Sequence, residues 1–343
     1  MRGLKSVGIF SILVGLAFVL TACAGRSEAE IDRIAFASDR SDYPQFDIHV
    51  MRVDGTNIKR VTRDDEGIVG IPIPSWSPDG KRIVYASSCA FGPFECQISV
   101  MNDDGSRDAV LSDYGSFPSW SPDGAKIVFS RPAGERFKPL EGSLAEFLQG
   151  VEFVADEEAV RALLSKNSDL YVMDIDGGNL NQLTNTPDLN ELLPAWSPDS
   201  TKVIYSAGPS EGNYDIYVVN ADGSGRRRLT THPATDSAPQ WSPDGTRILF
   251  ESNQDGDFEI YVMDSTGGEV TQLTSNIGFS DTNPAWSPDG EKIVFVSERG
   301  GLHINRLYIM DADGTGVSRI TNSDFNVFFP RWAPRKRRVE VSD

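Results

Sequence analysis

Three histidines, His49, His232 and His303, are the first residues to test for chemistry, because imidazoles bind metals and move protons near neutral pH. They lie far apart in the sequence. No Gly-x-Ser-x-Gly, His-Glu-x-x-His or P-loop pattern accompanies them, so no hydrolase, metalloprotease or nucleotide-binding signature is present. Two segments, Asp174-Ile-Asp176-Gly177 and Asp311-Ala-Asp313-Gly314, imitate the start of a calcium loop. Their twelfth positions are Asn185 and Asn322 rather than the bidentate glutamate such a loop needs, and they read as hairpin turns. The stretch 253–259, Asn-Gln-Asp-Gly-Asp-Phe-Glu, concentrates carboxylates that could hold a cation weakly or simply be solvated. The solvated reading is preferred, and neither a metal nor a cofactor is assigned.

Cysteine chemistry depends on where the chain resides. Arg2 and Lys5 precede an apolar run from Val7 to Leu20, followed by Leu20-Thr21-Ala22-Cys23. This pattern is an export signal over residues 1–22, and its last four residues resemble the bacterial lipobox, which makes Cys23 the expected lipid-attachment residue. Residues 23–30 then form a short lipidated tether. Ala24 is not the aspartate associated with inner-membrane retention. The expected location is therefore the outer membrane facing the periplasm in a two-membrane cell, and otherwise the outer leaflet of the plasma membrane. In an exported chain Cys89 and Cys96, flanking the turn signal Gly92-Pro93, are expected to form a disulfide. A two-cysteine metal site is the weaker reading, since no histidine is near. With 50 acidic against 32 basic residues and a net charge of -18, nucleic acid is disfavoured as a partner.

The elements that must position any site come from a repeat. Pro284-Ala-Trp-Ser-Pro-Asp-Gly290 has counterparts around Trp76, Trp120, Trp196, Trp241 and Trp332, so all six tryptophans lie in one motif. They stand 44 to 46 residues apart except for one interval of 76, a period that suggests propeller blades. Within each period, runs such as 292–297 and 259–263 cluster β-branched and aromatic residues, the signature of strands, and four strands per repeat follow. The tryptophan supplies a flat surface to pack between neighbouring sheets. The fold class is therefore all-β, a six-bladed β-propeller over residues 31–343. The chain starts and ends within one blade, so Phe329-Pro-Arg-Trp332 is expected to pair with the first strand at 33–37 and close the ring.

Antiparallel strands place the Ser-Pro-Asp-Gly corner and the later Asp-Gly turn on one face, and two variable loops per blade on the other. Function is expected on the variable-loop face. The long interval puts an insertion at about 132–168 there. Ser143-Leu-Ala-Glu146 is a capping box, apolar residues follow at helical spacing, and a second helix is expected at 156–166. This helical insertion would either bind a partner or cover blade surface. Carboxylates recur in the loops before Pro-x-Trp: Asp64, Asp65, Glu66, Glu191, Asp236, Asp281 and Asp324. Ringing the channel mouth, they would form a negative funnel for a basic partner segment; the other reading is solubilising surface charge.

The repeat of Leu-Thr, Pro-x-Trp-Ser-Pro-Asp-Gly, Ile-Val-Phe-x-Ser and Asp-Ile-Tyr-Val-Met-Asp resembles that of the TolB β-propeller family over about residues 31–339. The resemblance implies the propeller fold and a role in the cell envelope through protein contacts, as in the Tol-Pal system. In TolB itself an N-terminal α/β domain precedes the propeller, and here the first strand begins too early for one. Ser200 in place of glycine, and Ala333-Pro-Arg-Lys336 in place of Ser-Pro-Asp-Gly, depart from the pattern. Two functions follow. The first is a lipid-anchored envelope module that binds a protein or peptide on the variable-loop face. The alternative is a carbohydrate-active enzyme resembling oligogalacturonate lyases, which use a histidine-rich metal site; it requires His49, His232 and His303 to converge.

Overall fold

The chain is described by a computed structural model over residues 32–42, 45–62, 68–69, 72–87, 96–132, 167–209, 212–299, 304–322 and 325–335. Strand boundaries are set by the Ser-Pro-Asp-Gly corner. In the copy at 287–290, Ser287 Oγ donates to Asp289 Oδ1 at 2.6 Å. The amides of Glu291 and Lys292 donate to Asp289 Oδ1 and Ser287 Oγ at 3.1 and 2.9 Å. Gly290, at φ 72°, closes the turn on the Ser287 carbonyl. The serine–aspartate bond recurs at Asp79, Asp123, Asp199 and Asp244, and the Ser242 hydroxyl helps to hold the Asp244 carboxyl at about 2.

Each corner joins an innermost strand to three more, as in Asp281–Trp286, Lys292–Ser297, Arg306–Asp311 and Ser318–Arg319. The described residues form six such antiparallel sheets, the six blades expected. Second strands read as continuous apolar runs, Ile293 to Val296 for example, because both faces of a blade are covered by its neighbours. Outermost strands are two to four residues long and largely exposed, which keeps the free edges short.

The core lies between blades. Six apolar clusters each hold one tryptophan. Trp76 joins Ala35, Ile48 and Val50 of the first blade to Ile83, Tyr85 and Met101 of the second. The tryptophans thus take the inter-sheet place the sequence suggests. The Asp-Gly turns add a close backbone approach: a Cβ on Gly105, at φ 79°, would stand 1.9 Å from the Val61 carbonyl oxygen of the preceding blade.

One feature was not legible. The residue three before the tryptophan, immediately ahead of proline, lies in the left-handed region in five blades: Phe117, Leu193, Ala238, Asn283 and Phe329, at φ 49° to 57°. Strand register shifts there, for example between Thr282 and Ala285. Proline has no N–H for the ladder, so the inner strand bulges and bends where it passes the axis.

Ring closure follows the expectation. Val327–Trp332 pairs antiparallel with Arg33–Asp42, with Ile34 opposite Trp332. The departure at 333–336 then has a reason. The strand that follows in this blade comes from the other end of the chain, so no hairpin is needed. Arg335, in the aspartate's place, instead makes bonds of 2.8 and 2.7 Å to both carboxylate oxygens of Asp32 and reaches Asp289 at 2.6 Å. Ser200, the other departure, adopts the glycine conformation at φ 59°. The helical insertion lies outside the described residues. Pro132 and Ser168, which flank it, pair directly at the loop-face end of the third blade.

Candidate functional site

The inner strands of the six blades neighbour one another around the axis, and towards the corner face they enclose a cavity of about 1130 Å³. All six tryptophans reach its wall. The corner prolines Pro78, Pro122, Pro198, Pro243, Pro288 and Pro334 also line it. Proline offers no donor, and the indole N–H groups of Trp76 and Trp196 are already given to the carbonyls of Arg331 and Ser119, at 3.1 and 3.2 Å. Among the described residues the indole N–H groups of Trp120, Trp241, Trp286 and Trp332 have no partner, and Asp79, Lys81, Gln240 and Arg335 also line the cavity. A rigid wall of aromatic rings and prolines thus carries a set of polar groups, as recognition pockets do.

The residue before each tryptophan breaks the sixfold symmetry. Ser75, Ser119, Ala195, Gln240 and Ala285 are small or neutral, whereas the last blade carries Arg331. Arg331 lines the cavity, and its guanidinium Nη1 donates to the Pro330 carbonyl at 2.9 Å. Desolvation pulls its pKa down to about 10, countered in part by the Glu251 carboxylate. Glu251 is itself occupied, by Ser237 Oγ at 2.9 Å and the Asn283 amide at 2.6 Å. Among the described residues Arg331 has no ion-pair partner within 4.0 Å. Neither the cavity nor Arg331 was singled out from the sequence; the odd residue in the column of six was the available signal.

At the loop face the expected acidic residues lie inside the blades. Glu191, Asp236 and Asp281 are 0%, 2% and 0% exposed, so these three form no solvated funnel. Each is the first or second residue of an inner strand and lies near an acid from the preceding blade: Asp169, Asp215 or Glu259. Glu191 accepts from the hydroxyls of Thr184 and Thr186, and Asp281 accepts from Arg299 and from Asn276 Nδ2 at 2.6 Å. Burial raises the pKa of Glu191 and Asp236. Burial, with the nearby Asp281 carboxyl, pushes Glu259 up to about 7. Asp64, Asp65, Glu66 and Asp324 lie outside the described residues.

In the acidic stretch 253–259 only Glu259 is buried, but all three carboxylates are engaged by neighbouring groups. Asp255 accepts from Gln272 Nε2 at 2.6 Å, Asp257 from the amides of Gly278 and Phe279 at 2.9 and 3.1 Å, and Glu259 from Thr274 Oγ1 at 2.5 Å. These bonds hold a loop whose tip, Ile277, is 98% exposed. His49 is buried in the first blade, stacked on Phe36, and His232 is exposed in the fourth, before the strand Asp236–Trp241. His303, Cys23 and Cys89 lie outside the described residues, and Cys96 is buried beside Ala86. Among the described residues no three His, Cys, Asp or Glu side chains gather as metal ligands.

Residues 137–342 match the TolB beta propeller domain. The chain belongs to that family. Solved structures agree on the TolB-type fold. TolB from Acinetobacter baumannii is similar at 21% identity and a TM-score of 0.66, over 92% of this chain and 70% of that one. The putative TolB from Agrobacterium tumefaciens is similar at 21% identity and 0.61, over 88% and 99%. An oligogalacturonate lyase in complex with manganese shares the fold at 17% identity and 0.53, over 85% and 74%.

Proposed function

We propose that this TolB-family propeller is an interaction module of the cell envelope that holds a segment of a partner protein, or a peptide, in its axial cavity. One observation carries the reading: a cavity of about 1130 Å³ walled by the tryptophans and corner prolines of all six blades. Extended apolar segments dock on such aromatic and proline surfaces without needing many donors. This moves the principal contact from the variable-loop face to the corner face. The loop face serves as a second contact surface, through the insertion at about 132–168 and the acidic residues Asp64, Asp65, Glu66 and Asp324. Glu191, Asp236 and Asp281 act there as supports for the loops. A lipid on Cys23 anchors the module, and a Cys89–Cys96 disulfide closes the loop between them.

Affinity capture from envelope extract with residues 24–343 tests the reading against a Ser119→Trp variant, whose new indole fills the cavity from a lining position. A protein crosslinked to the parent chain and lost from the variant supports the cavity. Equal capture by both returns the contact to the loop face. Metabolic labelling with a fatty acid, abolished by Cys23→Ser, checks the anchor.

A further inference from the structure

We infer that Arg331 is a carboxylate anchor inside the axial cavity, so that the segment the cavity takes is apolar and carries one carboxylate, at a chain terminus or on an acidic side chain. The inference rests on the cavity reading above and specifies its ligand. Five of the six positions in this column are uncharged, so the single guanidinium is not a demand of the blade repeat. Arg331 lines the cavity, with one backbone acceptor for its guanidinium and no ion-pair partner among the described residues. Of the other two cations in the lining, Arg335 is taken by Asp32 and Asp289, and Lys81 is exposed at the corner-face rim. Glu251, the carboxylate whose charge acts on Arg331, has both oxygens engaged by Ser237 and Asn283 and makes no ion pair with the arginine within 4.0 Å. A guanidinium kept half-dry in this way gains most from a planar two-oxygen acceptor that its fork can grip.

The tryptophans provide the reporter. A chain labelled with 5-fluorotryptophan gives one resonance for each of six cavity residues. The probes are N-acetylphenylalanine, its amide, and N-acetyl-Phe-Glu-amide, which separate a terminal carboxylate from a side-chain one and both from a neutral control. At least one acid should shift the cavity resonances and bind about tenfold or more tighter than the neutral amide, as expected for a charge-assisted bond. Arg331→Gln should abolish that preference and Arg331→Lys retain part of it. The fluorine spectrum without ligand verifies that each variant is folded. Equal binding of acids and amide, or a preference that survives Arg331→Gln, overturns the anchor and leaves the cavity reading intact. Binding of none of the probes at millimolar concentration overturns both.

Discussion

The two faces of the ring use the same repeat differently. On the corner face every blade contributes a tryptophan and a corner proline, four of them in an intact Ser-Pro-Asp-Gly turn, and the product is a near-symmetric aromatic cavity in which Arg331 is the odd residue of its column. On the loop face, neighbouring blades meet through buried carboxylates, at Asp169 with Glu191, Asp215 with Asp236 and Glu259 with Asp281, each matched to different cations and hydroxyls. Apolar repetition sets the geometry, and polar individuality fixes the loops. A site built on the first is rigid by construction. A surface built on the second can change with pH and with loop sequence.

The largest effect should come from the shared apolar element. Trp196→Ala removes the indole that joins the third and fourth blades and should cost about 3–5 kcal/mol, read by thermal or denaturant unfolding. A loss below about 1 kcal/mol would break the claim that the tryptophans are the principal inter-blade contact. Next, Gly105→Ala should cost about 2–4 kcal/mol, since the new Cβ meets a carbonyl of the second blade's neighbour at a left-handed φ.

The loop face should show its difference through pH. Unfolded Glu259 loses its proton near the ordinary glutamate value, while the native chain keeps it to about 7. Between those values the native state binds more protons, so the stabilisation present at low pH is lost as pH rises through 7. The slope is at most about 1.4 kcal/mol per pH unit. Glu259→Gln should flatten that part of the stability profile, whereas Asp244→Asn on the corner face should leave it in place. The smallest effect belongs to the closure. Arg335→Ala exposes an already half-solvated ion pair and should cost about 1 kcal/mol or less, seen best as faster amide exchange in the strand Arg33–Asp42.

The ring was legible because its determinants are local and repeated. Trp286 before Ser-Pro-Asp-Gly marks a strand end and a turn wherever it occurs, and counting such marks gives the blades and the closing strand. The cavity was not, because Trp120 and Pro122 look like core and corner, and only the arrangement of six blades around an axis makes them a wall. The burial of Glu191 was equally hidden. Its partners Thr184 and Thr186 precede it in an ordinary polar loop, and the Asp169 carboxyl beside it comes from the preceding blade.

The pairing of Val327–Trp332 with Arg33–Asp42 also sets a timetable. During synthesis the first blade must wait for almost the whole chain before its innermost strand arrives. Until then Ile34 and Phe36 border a free edge that any extended peptide could occupy. The ring cannot be completed blade by blade as it is translated. Its last step is a long-range encounter, so premature release or stalling shortly before residue 327 would leave five finished blades around a gap that is ready to pair with a second chain.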